Sequence, residues 1–167
     1  MSIINKVAQS GLVNLDLEEL IPPGERFLFD LKSWLFEEII LKEKDFRDKI
    51  STHDWFFYDG KFVAITCSVD AIIPTWALML IAAQLQPYAK KIVFGELNKL
   101  EEELFKEMIF SLNPEDYRDQ RVVIKGCSVA HVPVSAYVDV TTFLRPLAKS
   151  IMFGEPCSTV PVYKRKS

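Results

Sequence analysis

The chain carries an internal duplication, and this feature limits its possible folds more than any other. One copy runs over residues 61–96 and the other over residues 121–155. Both copies contain a Phe-Gly-Glu string, at 94–96 and 153–155, and a Pro-x-Ala-Lys string, at 87–90 and 146–149. Because proline and glycine restrict or permit particular backbone conformations, their recurrence predicts that the two copies share backbone geometry.

Each copy has the pattern strand, helix, strand. In the first copy strands are predicted at about 61–66 and 91–95, with a helix at about 74–88 between them. In the second copy the strands are predicted at 121–126 and 150–154, around a helix at 134–148. This alternation predicts an α/β fold with a mainly parallel sheet and right-handed crossovers. We expect all four strands in one sheet, in the order second, first, first, second, so that the first strands of the two copies are neighbours.

The region before the first copy, residues 1–58, is predicted to be a β-rich N-terminal extension. Over 13–17 apolar and polar residues alternate, and further on Phe27, Phe29 and Leu31 alternate with Asp30 and Lys32, which is typical of half-buried strands. A short helix is predicted from about Asp45 to Thr52. A longer helix, at about 98–112, is predicted between the copies. We expect the 167 residues to form a single domain.

Composition excludes several classes of function. The net charge of −3 provides no basic surface for nucleic acid. No Gly-x-Gly-x-x-Gly or Walker loop is present, so no nucleotide is expected. The uncharged run at 71–89 is interrupted by proline and glutamine, and we expect a buried helix there rather than a membrane span. The first residues lack the pattern of a signal peptide, which favours a cytoplasmic location.

The three cysteines nominate a site. Cys67, Cys127 and Cys157 are each followed by serine, and each comes shortly after the end of a predicted strand. Cys67-Ser68 of the first copy matches Cys127-Ser128 of the second. One residue of the first copy must then be skipped so that Pro74 matches Pro133. Since adjacent strands lie about 4.8 Å apart, the predicted sheet would gather the three thiols at one edge.

Three thiolates are most of the ligand set of a zinc ion or an iron–sulfur cluster. The fourth ligand would be Asp70, His131, Glu155, another chain or a substrate. The spacing contains no Cys-x-x-Cys, so two other interpretations stay open: a reactive or redox thiol, and cysteine as a small buried apolar residue.

Three functions follow from these interpretations. The leading hypothesis is a metal- or iron–sulfur-associated accessory protein with Cys67, Cys127 and Cys157 as ligands. The alternatives are a thiol-based redox or transfer enzyme and a protein-interaction scaffold with structural cysteines. A homodimer is compatible with a ligand set completed across a two-fold axis. For His53, which precedes Asp54, an ordinary hydrogen bond in a loop is favoured over catalysis.

Several strings together resemble a bacterial family catalogued as domain of unknown function 2480. They are Asp54-Trp55, Ala64-Ile65-Thr66-Cys67-Ser68, Gln86-Pro87-Tyr88-Ala89-Lys90-Lys91, Val122-Val123-Ile124-Lys125-Gly126-Cys127-Ser128 and the run 150–161. The resemblance covers essentially the whole chain. It implies partners among iron–sulfur assembly proteins, because genes of the family lie near those for cluster assembly, and it implies no catalytic residues.

Overall fold

A computed structural model describes residues 5–7, 11–126, 131–155 and 157–167. The strands are β1 (Asn5–Val7), β2 (Leu12–Leu15), β3 (Arg26–Asp30), β4 (Phe62–Thr66), β5 (Lys91–Phe94), β6 (Arg121–Ile124), β7 (Ser150–Glu155) and β8 (Ser158–Lys164). The helices are α1 (Glu43–Thr52), α2 (Thr75–Leu85), α3 (Leu97–Phe110) and α4 (Val134–Leu144). Short 3₁₀ helices lie at Leu17–Leu20, Leu31–Trp34, Trp55–Tyr58 and Pro114–Asp116.

The strands form two sheets. The larger has the order β1-β2-β6-β7-β8, in which β2, β6 and β7 are parallel and the outer strands β1 and β8 are antiparallel to their neighbours. The smaller has the order β3-β4-β5 and is parallel throughout. The predicted α/β class with mainly parallel pairing is therefore confirmed.

The predicted strand order is wrong. The first copy places β4 and β5 in the smaller sheet, and the second copy places β6 and β7 in the larger sheet. The reason is that the second edge of β4, and likewise that of β6, pairs with a strand from the N-terminal region. β3 pairs with β4, and β2 pairs with β6, so β4 and β6 are not neighbours.

The chain divides into two compact units. Unit 1 comprises residues 1–22 and 104–167 and contains the larger sheet, whereas unit 2 comprises residues 23–103 and contains the smaller one. Unit 2 is thus inserted in sequence between β2 and the rest of unit 1. The region predicted as an N-terminal extension supplies one parallel strand to each sheet, β2 to the larger and β3 to the smaller. That the chain folds as one domain stays a prediction.

The duplication extends to the backbone hydrogen bonds of the two units. Two bonds that join the ends of the helix connections in the first copy recur in the second at one constant spacing along the chain. In the first copy, Gly60 N donates to Tyr88 O at 3.0 Å and Lys90 N donates to Lys61 O at 2.8 Å. In the second copy, the matching bonds run from Asp119 N to Leu147 O at 2.9 Å and from Lys149 N to Gln120 O at 2.8 Å. The predicted common backbone geometry is present.

This register corrects the matching of the cysteines. Phe62 and Arg121 begin the central strands, and Pro74 and Pro133 are the N-caps of α2 and α4, with no residue skipped between. In this frame Gly126, not Cys127, stands at the position of Cys67. The match by residue identity was off by one because strand register is set by hydrogen bonds and burial rather than by a shared side chain.

Each unit has its own apolar core. In unit 2, α2 packs one face on the sheet through Ala77, Ile81 and Leu85, which recur every four residues and are fully buried. The opposite face carries Met79, which is exposed. The prediction of a buried helix is thus confirmed for one face of α2. Within the described residues, none of the helices combines the length and apolar character that crossing a bilayer requires.

Truncation of Ile81 should destabilise unit 2. We expect Ile81→Ala to lower the free energy of unfolding by about 2–5 kcal/mol, because a fully buried side chain leaves a cavity. All three tryptophans of the chain lie in unit 2, so their fluorescence during urea titration reports on this unit. Met79→Ala, two residues away and exposed, should change stability by less than about 0.5 kcal/mol. Equal losses in the two variants would contradict the described packing of α2.

Candidate functional site

A polar cleft of about 240 Å³ lies in unit 1 at the carboxyl ends of β2, β6 and β7. Parallel α/β sheets commonly bind ligands at this edge. The cleft is lined by Asn14, Asp16, Glu19, Val123, Lys125, Gly154 and Glu155. Its position follows from the pairing of β2 with β6, because that pairing brings residues from the two ends of unit 1 to one edge.

Asp16 is held in a defined orientation. It directly follows β2, and its Oδ1 accepts a hydrogen bond from Glu18 N at 3.0 Å, which caps the 3₁₀ helix at Leu17–Leu20. Its Oδ2 accepts a hydrogen bond from Lys125 Nζ at 3.1 Å. Since Lys125 directly follows β6, this ion pair joins the ends of two neighbouring strands.

The electrostatics of the cleft favour a positive ligand. The hydrogen bond and charge of Asp16, followed by the charges of Glu155 and Glu18, raise the pKa of Lys125 above its usual value. Lys125 is therefore protonated, which excludes it as a neutral nucleophile or base. Three carboxylates that line the cleft, those of Asp16, Glu19 and Glu155, outnumber this one ammonium group.

Two glycines allow the strand ends to approach closely. A Cβ on Gly126 would lie 2.9 Å from Gly154 Cα, and a Cβ on Gly154 would lie 2.6 Å from Ser158 O. Gly154 also has a φ of +126°, which other residues rarely adopt. Glycine at both positions lets the ends of β6 and β7 and the start of β8 meet beside Glu155 through backbone contacts.

The two cysteines that the structure describes, Cys67 and Cys157, differ in their unit and in their burial. Cys67 belongs to unit 2, is half-buried against its core, and donates its Sγ proton to Val69 O at 3.4 Å. This surrounding supports a packing role for Cys67. Cys157 belongs to unit 1 and is an exposed free thiol between β7 and β8. Cys127 lies outside the described residues, so the three-cysteine site stays a prediction.

The predicted fourth ligands also differ in location. Glu155 lines the cleft, whereas Asp70 and His131 are exposed in the loops before α2 and α4. The side chain of Asp70 does not cap α2, whose N-cap is Pro74. Across residues 5–7, 11–126, 131–155 and 157–167, no three His, Cys, Asp or Glu side chains form a group that could hold a metal ion.

Asp30 is a residue that the sequence analysis missed. It is the counterpart of Asp16 in unit 2, and its Oδ1 accepts hydrogen bonds from Lys32 N and from Ser68 N, each at 3.0 Å. Burial raises the pKa of Asp30, but the hydrogen bonds from Ser68 and Lys32 lower it more, so the net pKa lies below the usual value. The available signal was an aspartate before the last leucine of each alternating run, Asp16 before Leu17 and Asp30 before Leu31.

His53 lies in an aromatic cluster of unit 2. Its Nε2 is 2.8 Å from the Tyr58 hydroxyl oxygen, and its ring centroid is 5.0 Å from that of Trp34 and 4.7 Å from that of Trp55. The favoured ordinary hydrogen bond is thus confirmed. Burial lowers the pKa of His53, against the opposing charge of Asp54, and burial raises the pKa of Tyr58 to about 12.

The stability of unit 2 should fall as the pH is lowered from about 7.5 to 5.5. In this range the unfolded chain protonates His53 near its ordinary pKa of about 6.5, whereas the folded state resists protonation. The unfolded state then binds more protons, so acid favours unfolding. Tryptophan fluorescence during urea titration at several pH values measures the effect. His53→Gln should flatten this slope, and His131→Gln should leave it unchanged. A slope that persists in His53→Gln would contradict the assignment.

The comparison with protein families gives one match. Residues 1–165 match the family described as protein of unknown function (DUF2480). No match was found among curated proteins or among solved structures. Because the match spans nearly the whole chain, this protein belongs to the DUF2480 family.

Proposed function

We propose that this protein is a binding protein that holds a cation in the acidic cleft of unit 1. The observation that carries the proposal is the excess of carboxylates at the carboxyl ends of β2, β6 and β7. The single ammonium group, that of Lys125, is already bonded to Asp16. Within the described part of the chain, Glu19 and Glu155 form no ion pair within 4 Å, so their charge is left for a ligand.

The size and position of the cleft support a small ligand. A volume of about 240 Å³ accommodates an ion with its water or a small amine rather than a nucleotide-sized molecule. Asn14 adds an amide group to the lining. Since the cap and ion pair hold Asp16 in place, its carboxylate is oriented before the ligand arrives, which reduces the entropic cost of binding.

A metal ion or iron–sulfur cluster is the ligand that the cysteines favour. The described carboxylates do not by themselves form a metal site. The additional donors would be the thiolates of Cys127 and Cys157. In the sequence, Cys127 comes shortly after Lys125 and Cys157 shortly after Glu155, and both Lys125 and Glu155 line the cleft. With these donors the protein would be a zinc- or iron–sulfur-associated accessory protein, and iron–sulfur assembly proteins would be its partners.

Binding can be measured by calorimetric titration of metal-free protein with Zn²⁺ and, separately, with the diamine 1,4-diaminobutane. We expect Glu155→Gln and Asp16→Asn each to weaken binding roughly tenfold or more, because each removes a charge that contacts the cation. Asparagine also caps helices well, so Asp16→Asn removes the charge while the cap is kept. Glu115→Gln is the matched control, since Glu115 lies outside the cleft in the same unit and pairs with Arg118 at 2.8 Å.

The cysteine variants identify the ligand class. Zn²⁺ binding that is lost in Cys127→Ser and Cys157→Ser would support the metal hypothesis, and Cys67→Ser shows whether unit 2 contributes a ligand. Binding of the diamine alone would support an organic cation. No binding of either cation would contradict the proposal. In that case, fast and selective alkylation of one thiol near neutral pH would favour the thiol enzyme instead.

A further inference from the structure

As far as the structure describes the chain, the edge of the smaller sheet is open along β5. β5 pairs with β4 on one side, and within the described ranges no strand pairs with its other side. Open strand edges present backbone N–H and C=O groups that readily accept another strand, and proteins usually cover or charge them. The edge of β5 therefore needs an explanation.

An apolar groove of about 280 Å³ accompanies this edge. It is lined by Ile65, Thr75, Leu78, Met79, Ala82, Ile92, Val93 and Phe94. Phe94, on β5, is 68% exposed, and Met79, on α2, is 66% exposed. Exposed apolar side chains beside an unpaired strand edge are typical of a surface that binds another protein segment.

Unit 1 shows what covers the corresponding edge. β7 is the counterpart of β5, and β8 pairs with it in the antiparallel direction. The corresponding groove contains Phe153 in place of Phe94, together with Val160 and Val162 of β8. Phe153 is 36% exposed, about half the exposure of Phe94. The duplicated backbone therefore accepts an antiparallel strand at this position.

The charges along β5 identify the incoming strand. Lys90 and Lys91 stand at its start, and Glu96 follows its end. In an antiparallel pair the start of one strand lies beside the end of the other, so two copies of this strand place lysine near glutamate at both ends. We propose that β5 pairs with β5 of a second copy of this chain, which forms a two-fold symmetric dimer with a continuous six-stranded sheet.

Sedimentation velocity over a range of protein concentrations tests this dimer. We expect a concentration-dependent dimer that Phe94→Lys abolishes, because the groove would have to enclose a charge. Lys90→Glu and Glu96→Lys should each raise the dissociation constant roughly tenfold, since each reversal occurs twice across the axis. The double variant Lys90→Glu/Glu96→Lys should restore dimerisation, because the charges are then complementary again.

The matched control is Lys149→Glu. Lys149 is the counterpart of Lys90 in unit 1, next to the edge that β8 already covers, so its reversal should leave the dissociation constant unchanged. Circular dichroism and thermal melting confirm that each variant folds. A monomer at all concentrations would overturn the proposal. So would a dimer that resists Phe94→Lys and both single reversals, or one that dissociates only in Val162→Lys, which would place β8 of the partner on the open edge.

Discussion

The structure depends on the burial of the central strand in each unit. All five residues of β4 are buried, as are Val122, Val123 and Ile124 of β6. A buried strand must satisfy its backbone N–H and C=O groups along both edges. The duplicated strand–helix–strand segment supplies a partner for one edge only. The other partner is distant in sequence. In unit 1 Leu12 pairs with Arg121, and all the residues of unit 2 lie between these two in the sequence. Such distant pairing costs loop-closure entropy and slows folding.

This constraint explains which parts of the fold could be predicted. The helices at α2, α3 and α4 and the strands at β4 to β7 follow from local periodicity, which a sequence displays directly. The assignment of β2 and β3 to different sheets does not follow from local periodicity. Val13 and Leu15 alternate with polar residues, and Phe29 and Leu31 alternate with Asp30 and Lys32, so by this pattern alone either strand could pair with either central strand.

The candidate site was harder to predict than the fold, for a related reason. Asp16 continues the polar positions of an alternating run, so the pattern alone assigns it to the solvent side of a strand. It lines a cleft only because β2 pairs with β6 and brings it to Lys125. Cysteine is a common metal ligand, which made Cys67 a candidate, although Cys67 packs half-buried against the core of unit 2. Of the predicted ligands, Glu155 does line the cleft, and it is the last residue of the Phe-Gly-Glu string that the two copies share.

The two copies have diverged within one backbone frame, and the differences are chemically consistent. Where unit 1 has Lys125 beside Asp16, unit 2 has the buried Thr66 in the equivalent position of β4. Asp30 of unit 2 therefore meets no lysine from the central strand. Its oxygen is instead used by the N–H groups of Lys32 and Ser68. One aspartate thus closes a loop, while its counterpart leaves a charged cleft open. The reverse holds at the sheet edge, which β8 covers in unit 1 and which no strand of the described residues covers in unit 2. In the functions proposed above, ligand binding belongs to one copy and association to the other, and neither requires a different backbone.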